Sequence, residues 1–483
     1  MGTTHPKDSK RIQPMDLPST FFSPPSRRLP TASVVTVALL LFAVRMVSMQ
    51  AVEAQDRRAG VVSDEVCMWD DGFARPAETL PRRTAGSGEQ NGVWVDQLPH
   101  NNVPDGVHAM AWYDDGSGPK LVVGGDFDRV GSQEVAYIAQ WDGTAWSSLG
   151  SGTDGPVLAL QVFDEGNGPV LAAGGLFLQA GGVDVNTVAR WDGTQWSDMD
   201  GGFTEYPAVY ALTVFDDGSG PKLVAGGQLT GFGDGIPGVG AGHLAQWDGS
   251  SWNTLAQGLD NVVYALTPFQ SPDGPRLIAG GLFRFRPFSS RLMNRVAQWD
   301  GTSWTPMGAG MDGAVIALTA YDPGGGEVVV AAGQFAEADG LPAARIAQWD
   351  GTAWTALSTE TNGSIQTLAV DRSGDAPKLL AGGAFRFVES GATHLASWDG
   401  TFWTQVESGV QHSGGAPEVQ AILQRTAGGE TDLWVGGFFD QVGGSTASSH
   451  IGLLSCVRPE IFSDGFETGG LTAWSAVDPV LNP

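Results

Sequence analysis

A unit that returns seven times, about every 52 residues, constrains this chain more than any other feature. In its clearest copy an apolar run from Val157 to Val162 leads through an Asp/Gly turn into Val170–Phe177, which contains Gly174-Gly175. A Gly-rich loop follows, and then Val188-Ala-Arg-Trp-Asp-Gly-Thr-Gln-Trp196. The second glycine of the Gly-Gly step falls at Gly125, Gly175, Gly227, Gly281, Gly333, Gly383 and Gly437, and only the copy at Gly333 replaces the first glycine, with Ala332. Tryptophans pair at Trp141/Trp146, Trp191/Trp196, Trp247/Trp252, Trp299/Trp304, Trp349/Trp354 and Trp398/Trp403. Seven glycine steps thus meet six tryptophan pairs. The ends account for the difference: Gly92–Leu98 reads as the second half of a tryptophan hairpin, and Ile451–Ser455 as a first half.

Each unit reads as four short strands, here lettered a to d. Strand a is the Val-x-Ala-Leu run, b carries Gly-Gly, c ends at Trp-Asp-Gly, and d carries the second tryptophan. Strands a and b are apolar on both faces, as strands sandwiched between neighbouring sheets must be. A fixed period of this length, filled with short strands and turn residues, predicts an all-β, seven-bladed β-propeller of four-stranded blades. The half-hairpins predict closure by an N-terminal strand in the last blade, which removes exposed sheet edges. In Trp141-Asp-Gly-Thr-Ala-Trp146 a two-residue Gly143-Thr144 turn would set the two indoles opposite each other. An Asp-Gly turn would shift that register by one, and the sequence leaves both open.

The Gly-Gly step, its spacer and the later tryptophan resemble the kelch-type propeller repeat, whose period is near 50 residues. The full unit is also similar to repeats in fungal cortical-marker proteins and in many secreted bacterial proteins. The resemblance covers residues 92–455 and implies architecture more than activity. WD repeats are shorter and carry a Gly-His step absent here. Galactose oxidase shares the kelch propeller, but its copper site needs Tyr, His and Cys ligands, and both cysteines here lie outside the repeats.

The flanks speak to compartment. Val34–Val44 is an uninterrupted apolar run behind Arg27-Arg28, and Val52-Glu-Ala54 supplies compact residues for cleavage. Residues 1–54 therefore read as a signal peptide with a long n-region (Met15 is an alternative start), 55–91 as an N-terminal flank, and 456–483 as a C-terminal tail. The apolar run is short for a bilayer span, so no integral membrane segment is expected in the mature chain. In an exported chain the lone pair Cys67 and Cys456, one on each flank, reads as a disulfide across the closure or as two unpaired thiols. The tail Ile461-Phe-Ser-Asp-Gly-Phe-Glu467 resembles a short C-terminal segment recurring on exported bacterial proteins. A secreted or cell-surface location follows from these readings.

Candidate chemistry is sparse. The formal charge of −27 argues against nucleic acid as a partner, because phosphate binding needs clustered Lys/Arg. The turns at Asp114, Asp164 and Asp216 lack the spacing and terminal Glu of calcium loops and serve turn geometry instead. No histidine spacing suits a metal, and no cofactor is expected. His243 and His394 occupy the same strand-c position, two residues before the repeat Ala-x-Trp. Departures from the repeat are more informative than the repeat. The b–c loop is longest in the third unit, Thr230–Gly242, and basic in the fourth, with Arg284, Arg286, Phe288, Arg291 and Arg295; the sixth unit echoes it at Arg386. These residues form the candidate ligand-binding patch, for an extracellular protein or an acidic glycan, or else pair with neighbouring acidic blades. The expected function is a monomeric, non-catalytic binding scaffold. The alternative, a glycan-active enzyme with its site at the central channel, needs polar residues on strand a. Intact-mass analysis of secreted material should start near Gln55 and find no thiol reactive with iodoacetamide under denaturing, non-reducing conditions; two reactive thiols would refute the disulfide.

Overall fold

The computed structural model describes residues 93–94, 103 and 105–455, apart from 205–206, 230, 233–241, 286–291, 374–375, 428–429 and 445–449. Seven four-stranded antiparallel sheets form a ring, and no helix occurs among the described residues. The second blade is typical: a is Val157–Asp164, b Pro169–Gly175, c Val188–Trp191 and d Trp196–Asp198. The other inner strands a are Val107–Asp114, Ala208–Asp216, Val263–Ser271, Val315–Tyr321, Thr361–Asp371 and Glu418–Ala427. Each inner strand touches the next, and the seventh touches the first, so the ring is closed. Blade 7 draws its fourth strand from the N-terminal side: Val93–Trp94 pairs antiparallel with Ile451–Ser455, Val93 opposite Ser455 and Trp94 opposite Leu454. The complementary half-hairpins of the sequence therefore complete one sheet.

The core is divided rather than central. Seven buried apolar clusters occupy the seven gaps between consecutive blades, including the gap between blades 7 and 1 where Val107 and Val123 meet Trp434 and Leu453. The Gly-Gly step makes these gaps narrow. A Cβ on the first glycine would strike the leading valine of the next inner strand: 2.4 Å from Val209 Cγ1 at Gly174, and 2.7 Å from Val107 Cγ1 at Gly436 across the closure. A Cβ on the second glycine would meet a backbone carbonyl of its own blade, 2.0 Å from Ala208 O at Gly227. That carbonyl approaches because every inner strand carries a β-bulge at the same step, from Val107/Ala109 in blade 1 to Val419/Ala421 in blade 7.

The c–d hairpin has the tryptophans directly opposite, as in Trp191↔Trp196, with ring centroids 5.4 Å apart. The turn glycine takes positive φ (98° at Gly143 and Gly193), which a side chain would resist. This settles the register in favour of the two-residue Gly-Thr turn. The strand-d tryptophan also reaches across the gap. Its Nε1–H donates to a carbonyl of the preceding blade, Trp196 to Leu149 at 2.8 Å and Trp252 to Met199 at 2.9 Å. Trp304, Trp354 and Trp403 repeat the bond, whereas Trp146 finds no acceptor among the described residues.

Gly227→Ala should lower the melting temperature by several degrees, because the clash is with backbone and cannot be relieved by a rotamer; such overpacking typically costs about 1–3 kcal/mol. Ala332→Gly, which restores the repeat, should change it far less. Thermal unfolding of the two variants checks the close approach, and equal melting temperatures would refute it.

Candidate functional site

The strand directions give the ring two unlike rims. The a–b and c–d turns leave on one side; the b–c loops and the d–a entry segments leave on the other. The first rim is acidic and locally built. In the a–b turns Asp114 and Asp164 accept the N–H groups two and four residues on, as do Asp216 and Asp322. In the c–d turns Asp142, Asp192, Asp248, Asp300, Asp350 and Asp399 each accept the N–H groups two and three residues on, with Thr144 N at 2.7 Å and Ala145 N at 2.8 Å from Asp142. These are turn aspartates. Hydrogen bonds to the charged form hold several below the usual carboxylate range: Asp142 through the Ala145 N–H and then the Thr144 hydroxyl, and Asp115 at about 2, chiefly through Lys120.

On the opposite rim carboxylates clamp the entry segment to the b–c loop of the same blade in blades 2, 4, 5, 6 and 7. Asp154 accepts Leu178 N and Gln179 N at 2.7 and 2.8 Å; Asp260 takes Arg284 N and Phe285 N, and Asp312 takes Ala336 N and Glu337 N. Blades 6 and 7 reverse the polarity. There the carboxylate lies in the loop, Glu389 accepting Thr359 N at 2.7 Å and Asp440 accepting Ser413 N at 3.0 Å. The loops so held present apolar side chains to solvent. Among the described residues eight large hydrophobics are exposed, and seven of them sit on b–c loops: Leu178, Val183, Leu282, Phe285, Leu292, Leu341 and Val388. The eighth, Phe402, is on a c–d turn.

A second feature lies nearer the axis. The residue added at each bulge is the variable x of Val-x-Ala-Leu, giving a belt of His108, Leu158, Tyr210, Tyr264, Ile316, Gln366 and Gln420 at the b–c end of the inner strands. Neighbouring belt residues meet: the Tyr210 and Tyr264 rings pack edge to face at 5.3 Å. His108 Nε2 bonds Asp126 Oδ2 at 2.8 Å, and Gln366 Nε2 bonds Ser364 at 3.2 Å. The sequence reading treated strand a as uniformly apolar; the signal it passed over was the x itself, polar in blades 6, 7 and 1.

Of the arginine patch, Arg284, Arg295 and Arg386 are among the described residues. Arg284 is exposed where strand b leaves blade 4. Arg295 is half-buried and donates from Nη1 to Met311 O at 2.8 Å; burial, and then the neighbouring Arg284, push its pKa down. Arg386 lies two blades from Arg284 in the ring, on strand b of blade 6, opposite Asn362 and Thr393. Arg286, Phe288, Arg291, Cys67, Cys456 and most of the Thr230–Gly242 loop lie outside the described residues. Blades 3 and 4 are neighbours, so both loops leave from adjacent strand ends.

His243, Arg295, His394 and His450 share one position, the residue before strand c in six blades and its second residue in blade 6, which has positive φ in all seven blades (61° at His394, 75° at Thr187). Burial pushes the His243, His394 and His450 pKa values down, that of His394 to about 4.

No protein-family model matches the chain, and no curated protein matches it. Solved structures share the fold at low identity. The extracellular domain of a putative hybrid two-component system from B. thetaiotaomicron is 14% identical over 76% of this chain and 40% of its own, with a TM-score of 0.43. An ancestral GH74 enzyme is 11% identical over 73% of this chain and 48% of its own, with a TM-score of 0.40. The chain spans less than half the length of either.

Histidines buried as the neutral form make stability depend on pH. A folded pKa below the unfolded value of about 6.5 means the unfolded state binds the proton first, so stability is full above pH 6.5 and declines as pH falls towards 4. For His394 the loss over that window is on the order of 3 kcal/mol. The melting temperature should fall between pH 6.5 and 4, and less so in His394→Asn, a residue that tolerates positive φ. A flat profile in the native protein would refute the buried neutral imidazole.

Proposed function

We propose that this chain is an exported, non-catalytic propeller that binds a protein or glycan through its b–c rim. The observation that carries the reading is the gathering on that one rim of seven of the eight large hydrophobics exposed among the described residues. Exposed apolar surface rimmed by polar residues marks interaction sites, and loops on a rigid scaffold carry recognition. The carboxylate clamps support it by fixing the loops, which lowers the entropy lost on binding. Arg284 adds a charged group beside Phe285 and Leu292, suited to a carboxylate or sulfate on the ligand. Export rests on the apolar run Val34–Val44 and its Val52-Glu-Ala54 cleavage signal. The glycan-cleaving alternative is favoured by one feature, the Glu418 carboxyl on an inner strand. Cleavage by the usual route needs a second carboxyl across the bond, and Asp126 at the neighbouring blade is already bonded by His108.

A glycan array and a panel of surface proteins, probed with the secreted protein, test this directly. Phe285→Asp combined with Leu341→Asp should abolish whatever binding is seen, with the fold retained. Phe402→Asp, on the opposite rim, should leave it unchanged. Binding that survives the double change places the recognition surface elsewhere, and turnover of an arrayed glycan would favour the enzyme.

A further inference from the structure

The step at which each inner strand begins is a small or apolar residue in most blades: Gly106, Pro156, Ala208, Val262, Ala314 and Ser364. In blade 7 it is Glu418. This side chain is only 8% exposed, and its Oε1 takes no hydrogen bond from the protein. Two residues on, the belt residue Gln420 has an Oε1 that is also without a partner. Both groups point to one seam. Val419 and Ile422 project towards Gly382 of blade 6, so strand alternation turns Glu418 towards blade 1. Gln420 Oε1 lies 3.8 Å from where a Cβ on Gly106 of blade 1 would stand, and His108 Cε1 is equally near. His108 bonds Asp126 through Nε2 and makes no hydrogen bond to either oxygen.

Two buried acceptor oxygens facing one seam, both without a donor from the chain, are unfavourable until a water or a ligand supplies one. The surroundings determine what kind. No lysine or arginine occurs at the b–c end of any inner strand, and on the entry segments and loops around this mouth Asp105, Asp126, Asp154, Asp260, Asp312 and Asp440, with further carboxylates, outnumber Arg129, Arg284, Arg295, Arg345 and Arg386. Among the described residues no three His, Cys, Asp or Glu side chains form a metal-holding group. The complement to two converging acceptors in an acidic mouth is therefore an organic cation with several N–H donors.

We propose that the seam between blades 7 and 1 is a binding site for a primary ammonium or guanidinium group, held by Glu418 and Gln420. Charge attracts the group into the mouth, and the two oxygens take its N–H bonds. The same chemistry comes from a free amine or from a lysine or arginine side chain of a docked polypeptide. The inference rests on the inner strands and does not require the apolar rim to be the recognition surface.

Calorimetric titration of the secreted protein at physiological salt tests it. The probes are N-acetyl-lysine methylamide, N-acetyl-arginine methylamide and a lysine-containing decapeptide, with D-glucose and calcium chloride as controls. At least one cationic probe should bind, and the controls should not. Binding of the single amino-acid amides identifies a small amine as sufficient; binding of the peptide alone identifies a polypeptide partner. Glu418→Gln should weaken binding at least tenfold without lowering the melting temperature, since the Glu418 Oε1 accepts no bond within the chain. Gln420→Glu should strengthen it several-fold, and it decides the matter should Glu418→Gln not fold. Asp142→Asn on the opposite rim should leave affinity unchanged, which separates the site from general attraction to an acidic protein. Phe285→Asp with Leu341→Asp should also leave it unchanged, so the rim reading and this one fail separately. Equal affinity in Glu418→Gln, no gain in Gln420→Glu, or no response to any cation overturns the proposal.

Discussion

The structure depends on how closely strand b of one blade can approach strand a of the next. The Gly-Gly step removes both Cβ atoms at the point of contact, so Val157, Val209, Val263 and Val315 press their methyl groups against bare backbone of the preceding blade. Interiors are packed to crystal-like density, and contacts this short leave no space for an extra methyl group. Blade 5 shows what the step tolerates: Ala332 replaces the first glycine there, and the inner strand it faces has Ile365 where the other blades have valine. The second glycine has no such substitute, because what it faces is the carbonyl of the bulge in its own blade. The bulge brings that carbonyl onto the glycine, and the same bulge adds the residue that forms the belt at the axis.

Much of this was legible in the chain. Short apolar runs, paired tryptophans and turn glycines specify strands, register and blade count through contacts local in sequence. The half-hairpins at the ends announce the closure. What escaped reading depends on contacts between blades. The Trp196 indole bonds a carbonyl at Leu149, well upstream, and nothing near either residue signals it. The clamps were hidden because they change side between blades: Asp154 and Asp312 lie before strand a, whereas Glu389 and Asp440 lie after strand b. Arg295 looked like a loop arginine among others. Its place before strand c, with φ of 70°, turns it towards the next blade's entry segment, where Met311 takes its guanidinium. Backbone conformation decided the fate of that side chain, and charge did not.

The two rims divide labour within one repeat. Aspartates satisfied by their own turns keep one face charged far into acid, and that face repels copies of itself. Loops with exposed leucines, valines and phenylalanine give the other face an apolar character among the described residues. The two rims therefore differ in character along the axis, and the blades differ from one another chiefly at the belt, at Glu418 and in the b–c loops.

Closure by Val93–Trp94 also sets the order of events in time. Blades 1 to 6 are each contiguous in the chain and can form as soon as their own residues are free, through short-range contacts that favour fast folding. Blade 7 cannot. Its outermost strand is the first repeat segment to emerge, and the strand that receives it, Ile451–Ser455, is the last. Until both are released the nascent ring has an open edge and an unfilled apolar gap between Val107 and Trp434, the kind of surface that recruits chaperones or aggregates. The finished ring is therefore all-or-nothing at its seam, and a chain cut short before residue 451 would carry six formed blades and no means of shutting them.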